Sequence, residues 1–167
     1  MKWYKSELLN SKESNIELHQ ELVFEKNEYS WFERLRELRD TQLDLNLNFD
    51  KKLQLITIDY HIQGTMILPC AITLDDVEKE FDLDGQELLS FTDDMGEDVI
   101  KLDDELDLKP LLLDIILSVV PIKVVKEGIE YPKGTDWEVL TEKELQKQKE
   151  NQVDPRLAKL KEFKFEE

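Results

Sequence analysis

Leu43-Asp44-Leu45-Asn46-Leu47-Asn48-Phe49 alternates apolar and polar residues without a break. A period of two places every second side chain on one face of a strand, so this run predicts a half-buried β-strand. Asp50-Lys51-Lys52 follows as a polar turn, and Leu53 to Cys70 returns as the antiparallel partner. The apolar phase of that partner shifts between Leu55 and Ile56. Gly64 falls in its middle, where a strand glycine marks a bulge or a sharp bend. Working outward, Val77 to Phe91 adds one or two further strands, and Ile16-Leu18-Gln20-Leu22-Phe24 alternates with Glu17, His19, Glu21 and Val23 as another. A long strand with bends predicts a strongly bent, barrel-like antiparallel sheet.

Helical patterns flank these strands, which makes the fold class α+β. In Tyr29 to Asp40, Trp31, Leu35 and Leu38 recur at helical spacing with Glu33, Arg34, Arg36, Glu37 and Arg39 turned outward. A buried helix is expected over about 107–120. Asp107 caps it, Pro110 lies in the first turn where backbone donors are free, and Pro121 ends it. Its apolar residues cover nearly every face, leaving Asp114 and Ser118 as a narrow polar stripe. Beyond Tyr131 the character changes. Lys133-Gly134-Thr135-Asp136 predicts a turn beside Trp137, and Thr141-Glu142-Lys143-Glu144 matches a capping box for a charged helix to about Glu150. Asp154 and Pro155 open a second helix, with Leu157, Leu160 and Phe163 as its apolar stripe. The expected organisation is one α+β domain over residues 1–135 and a helical C-terminal tail over 136–167.

The 167 residues hold 22 Lys and Arg against 39 Asp and Glu, a net charge of −17. Such a surface repels phosphate backbones and attracts basic partners, so duplex nucleic acid would need a local basic patch. The acidic clusters Asp93-Asp94-Glu97-Asp98 and Asp103-Asp104-Glu105-Asp107 could bind a hard cation, but neither matches an ordered calcium-binding loop, so a solvated charged loop is the simpler reading. The longest apolar stretch, Leu106 to Val125, is interrupted by Asp107, Lys109, Asp114 and Lys123, so no membrane span is expected. Met1 to Lys5 leads into polar residues, so no secretory signal is expected either. A single cysteine fits a reducing cytoplasm.

Candidate chemistry narrows quickly. Cys70 could act as a nucleophile only beside a base, and His61 lies nine residues away along an extended strand. A small cysteine buried at a strand end is the simpler reading. The chain lacks the several Cys and His at ligand spacing that zinc requires. Asp114 either meets a hydrogen-bond partner or marks an exposed seam of its helix. No cofactor is expected.

Gly64-Thr65-Met66-Ile67-Leu68-Pro69-Cys70-Ala71-Ile72-Thr73-Leu74-Asp75-Asp76-Val77, followed by Phe81, resembles the YceD family of bacterial and plastid proteins. Asp107-Leu108-Lys109-Pro110 and the run Asp114 to Pro121 resemble that family's helix ending in proline. Asp136-Trp137-Glu138-Val139-Leu140 and Val153-Asp154-Pro155-Arg156-Leu157-Ala158-Lys159-Leu160 resemble its C-terminal signature in Gram-positive and mollicute members. The resemblance implies a non-enzymatic role in large-subunit ribosomal RNA accumulation and large ribosomal subunit assembly. Many members carry a second cysteine three residues after the first, where this chain has Thr73, so no role for a cysteine pair carries over.

The expected partner is a large-subunit ribosomal protein or a pre-ribosomal particle, with Trp137, Asp154, Pro155, Arg156, Leu157 and Leu160 as candidate contacts. One alternative is direct binding to rRNA through Arg34, Arg36 and Arg39. Another is a small hydrolase using Asp114 or Cys70. The oligomeric state is not legible.

Overall fold

The computed structural model describes residues 1–92, 96–129, 131–140 and 144–147. The chain divides into two compact units, Met1–Lys126 and Glu127–Glu167. The first contains, in order, β1 (Lys2–Tyr4), α1 (Lys5–Asn10), β2 (Asn15–Leu22), β3 (Glu37–Asp50), β4 (Leu55–Pro69), β5 (Asp76–Ser90), β6 (Ile100–Lys101), β7 (Glu105–Asp107) and α2 (Leu108–Ser118).

The alternating run Leu43–Phe49 lies in β3. Leu43, Leu45, Leu47 and Phe49 are buried, and their neighbours Asp44, Asn46 and Asn48 are exposed. Each such side chain contributes about 1.5–3 kcal/mol of burial before entropy is subtracted. The β3–β4 turn is held by the Asp50 carboxylate, whose Oδ1 accepts from the amides of Lys52 at 2.8 Å and Leu53 at 3.0 Å. The strands run in the order β2-β3-β4-β5-β6, antiparallel except for the β5–β6 pair. Contrary to the expectation from the bends, the sheet does not close into a barrel. β2 pairs with β3, whereas the opposite margin ends in the two-residue β6, so the two edges do not meet.

Gly64 also differs from its expected part. β4 pairs with β5 without interruption from Leu55↔Ser90 to Pro69↔Asp76, so no bulge falls on its own strand. The irregularity is across from it: between Arg39↔Thr65 and Gln42↔Gln63, the residues Asp40 and Thr41 face Gly64 alone. Asp40 takes φ 49°, the left-handed conformation that such a bulge uses. Glycine fits here because a Cβ would stand 3.1 Å from the Thr41 Cα and 3.0 Å from the Phe81 ring.

The expected helix over Tyr29 to Asp40 is absent. A short 3-10 turn at Lys26–Glu28 is followed by turns, and β3 has begun by Glu37. Leu35 is buried, but Trp31 is 67% exposed, so the helical spacing marks no common face. Pairing with β4 decides the conformation: the Arg36 amide donates to the Ile67 carbonyl at 2.8 Å, and long-range pairing overrides a local period.

α2 forms where it was expected. Asp107 caps it by accepting from the Lys109 amide at 3.2 Å. Its burial is more one-sided than the composition implied. Leu108, Leu112, Leu113, Ile116 and Leu117 enter the core with β3 and β4, whereas Pro110, Asp114 and Ser118 are exposed and Leu111 and Ile115 half-buried. β1 pairs antiparallel with β7, and the Leu108 amide donates to the Met1 carbonyl at 3.0 Å, so the N-terminal strand braces the start of α2.

In the second unit the expected turn at Lys133–Asp136 is present. The Gly134 amide donates to the Trp137 carbonyl at 2.7 Å, and Lys133 bridges Glu138. The Trp137 indole lies against Gly134 and leaves no room for a Cβ there. Residues 144–147 are helical. The remainder of the helix expected to Glu150, the one opening at Asp154 and Pro155, and the loop residues 93–95 lie outside the described residues.

Candidate functional site

The register of β2 to β5 builds a solvent face of four rows across four strands. In chain order the rows are Asn15-Asn48-Thr57-Leu88, Glu17-Asn46-Asp59-Gln86, His19-Asp44-His61-Asp84 and Glu21-Gln42-Gln63-Asp82. The same alternation that sends Leu45, Leu47, Ile58 and Ile62 inward sends these side chains outward. Glu17, Glu21, Asp44, Asp59, Asp82 and Asp84 are acidic, and no row contains Lys or Arg.

Histidine and aspartate alternate along the third row. His19 Nδ1 lies 2.6 Å from Asp44 Oδ1, and His61 Nδ1 lies 2.8 Å from Asp84 Oδ1. The Asp44 carboxylate holds the His19 pKa above its ordinary value, and the Asp84 carboxylate does the same for His61. Asp82 approaches His61 Nδ1 to 3.4 Å, and Gln86 donates to Asp59 at 2.6 Å. Donor atoms of His61, Asp82 and Asp84 lie within 4.8 Å of one another, a set that could present one nitrogen and two oxygens to a divalent cation. Hydrogen bonding between the histidine and its carboxylates accounts for that spacing without an ion. Sequence reasoning missed the row because its members come from four strands and meet only once the register is fixed.

Several cations of the first unit are engaged elsewhere. Arg36 pairs with Asp76 and donates to the Leu74 carbonyl at 2.7 Å. Arg39 contacts Glu37 at 2.6 Å and Glu78 at 3.5 Å. Arg34 lies over the Phe32 ring, 5.0 Å from its centroid. The three arginines of the RNA-binding alternative therefore do not share a helix, and two of them are already matched by carboxylates. Lys109 reaches Glu28 at 2.7 Å, and that contact holds the Glu28 pKa below its usual range.

Cys70 is fully buried at the end of β4. Hydrogen bonds from the Thr73 hydroxyl and amide, then from the Lys126 and Ile72 amides, lower its pKa to about 6. Thr73, standing where many family members have the second cysteine, supplies the largest of these effects. The loop closes through Leu74 N–H to the Cys70 carbonyl at 3.0 Å and Cys70 N–H to the Asp75 carbonyl at 2.8 Å, with Leu74 at φ 63°. His61 is bonded to Asp84, not to this sulfur. Phe81 lies over Gly64 and Asp107 caps α2, whereas the helix ends at Ser118 with Val119 as its C-cap, two residues before Pro121. Asp114 is exposed, so of the hydrolase candidates one faces water and the other is sealed in the core. Trp137 is 59% exposed, and Asp154, Pro155, Arg156, Leu157 and Leu160 lie outside the described residues.

Fold and face together define an acidic α+β protein that presents carboxylates from an open sheet. The family model described as "Large ribosomal RNA subunit accumulation protein YceD" matches residues 58–164, and the chain belongs to the YceD family. It is 38% identical over 120 residues to "Uncharacterized protein YlbN" of Bacillus subtilis (strain 168), covering 66% of this chain and 67% of that protein. No solved structure matches. The family's name places it in large-subunit rRNA accumulation and ribosome biogenesis, and it is not a known enzyme family. Among the described residues no helix is long and apolar enough to cross a membrane.

Proposed function

We propose that this protein supports large-subunit rRNA accumulation as a non-enzymatic assembly factor that binds a basic ribosomal protein, free or within a pre-ribosomal particle. The observation that carries the reading is the distribution of charge. The net charge is −17, and the rows Glu17-Asn46-Asp59-Gln86, His19-Asp44-His61-Asp84 and Glu21-Gln42-Gln63-Asp82 contain no Lys or Arg. Complementary charge accelerates encounter with a cationic protein and selects against a polyanion. Engagement of Arg36 and Arg39 by carboxylates weighs against direct rRNA binding through that cluster, because a phosphate would have to displace them. Depletion of the protein should lower the large-subunit peak of a sucrose-gradient profile and leave the small-subunit peak in place. An unchanged ratio of the two would remove the assembly role.

A further inference from the structure

We propose that the outer face of β2 to β5, centred on the His19-Asp44-His61-Asp84 row, is the docking surface, and that its occupant is an extended polypeptide segment with Lys or Arg at alternate positions. The inference rests on the basic-partner reading above and adds the place and the shape of contact. Six carboxylates, those of Glu17, Glu21, Asp44, Asp59, Asp82 and Asp84, stand on three adjacent rows with two histidines as the only titratable bases among them. Their exposure is substantial, with the Asp44, Asp82 and Asp84 side chains 56%, 68% and 83% accessible. Successive rows are two residues apart along each strand, about 7 Å, which is also the spacing of same-side residues in an extended peptide. A cation at every second position therefore meets one row after another. A second copy of this chain would bring like charge to the face, and a nucleic acid would do the same.

The test compares two triple variants of the full chain that change net charge equally. Asp44→Asn/Asp59→Asn/Asp84→Asn neutralises the centre of the face. Glu97→Gln/Asp98→Asn/Asp103→Asn neutralises exposed acids outside the sheet rows. Binding of a fluorescent peptide alternating Lys and Ser is followed by anisotropy at about 0.15 M salt with a chelator present, where charges more than roughly 8 Å away are largely screened. The wild-type chain should bind saturably. The face variant should bind at least about tenfold more weakly, and the control within about twofold. Equal weakening of both triples, or no saturable binding by the wild-type chain, would overturn the proposal. Should the face triple lower the thermal midpoint, Asp82→Asn alone is compared with Asp98→Asn, and a weaker affinity for the former is still required. Failures of the two readings separate cleanly. Peptide binding that tracks the face, with normal subunit profiles after depletion, removes the assembly role and keeps the surface. Absent binding with a depleted large-subunit peak does the reverse.

Discussion

Two ends of one sheet handle charge in opposite ways, with the Asp40-Thr41 bulge between them. On the side of the β3–β4 turn, the four rows present six carboxylates and no Lys or Arg. Beyond the bulge, Arg36 and Arg39 meet Asp76, Glu37 and Glu78, so both arginines already lie against carboxylates of this chain. The first arrangement has only histidines beside its carboxylates, and the second offsets part of its negative charge with its own arginines. That difference teaches more than the net charge alone. A chain at −17 could owe its charge to solubility, but carboxylates partly offset by arginine at one end of a sheet and a block without Lys or Arg at the other mark where an external cation gains most.

The largest effect is expected at the bulge that separates the two ends. Gly64→Val places a branched side chain against the Thr41 Cα and the Phe81 ring. Overpacking of this kind costs about 1–3 kcal/mol, measurable as a lower urea midpoint, and an unchanged midpoint would show that the bulge yields easily. Next in size is Thr41→Val. Thr41 Oγ1 is buried without a hydrogen-bond partner, so replacing the hydroxyl by a methyl should stabilise the fold by about 1 kcal/mol. Destabilisation would mean that the hydroxyl is satisfied in solution. The smallest effect concerns pH and sharpens the acidic end. The folded pKa values of His19 and His61 are raised above 6.5, so their pairing with Asp44 and Asp84 stabilises the fold fully below that value. This contribution is lost as pH rises through the raised values. Binding of a cationic peptide should run the other way and strengthen over the same rise, because the histidines lose charge among Glu17, Glu21, Asp44, Asp59, Asp82 and Asp84. His19→Asn/His61→Asn should flatten both trends in denaturant and anisotropy titrations.

What could be read from the sequence was whatever local chemistry controls. Strict alternation from Leu43 to Phe49 allows one face to be buried, and Asp107 before Leu108-Lys109-Pro110 leaves little choice of helix start. The errors came where distant pairing decides. Trp31, Leu35 and Leu38 carry a helical period, yet hydrogen bonding to β4 draws the end of that segment into the sheet. Gly64 was legible as special, but the bulge it accommodates lies on the partner strand, 23 residues earlier at Thr41. The acidic face was hidden for the same reason. His19 and Asp44 are 25 residues apart and His61 and Asp84 are 23 apart, and only the register of three hairpin pairings brings all four into line.

Rescue of cells depleted of the protein, read as the ratio of large to small subunits on a sucrose gradient, decides whether the acidic face serves assembly. The wild-type chain and the Glu97→Gln/Asp98→Asn/Asp103→Asn control should restore the ratio, whereas Asp44→Asn/Asp59→Asn/Asp84→Asn, present at equal level, should not. Equal rescue by both triple variants would contradict that role of the face.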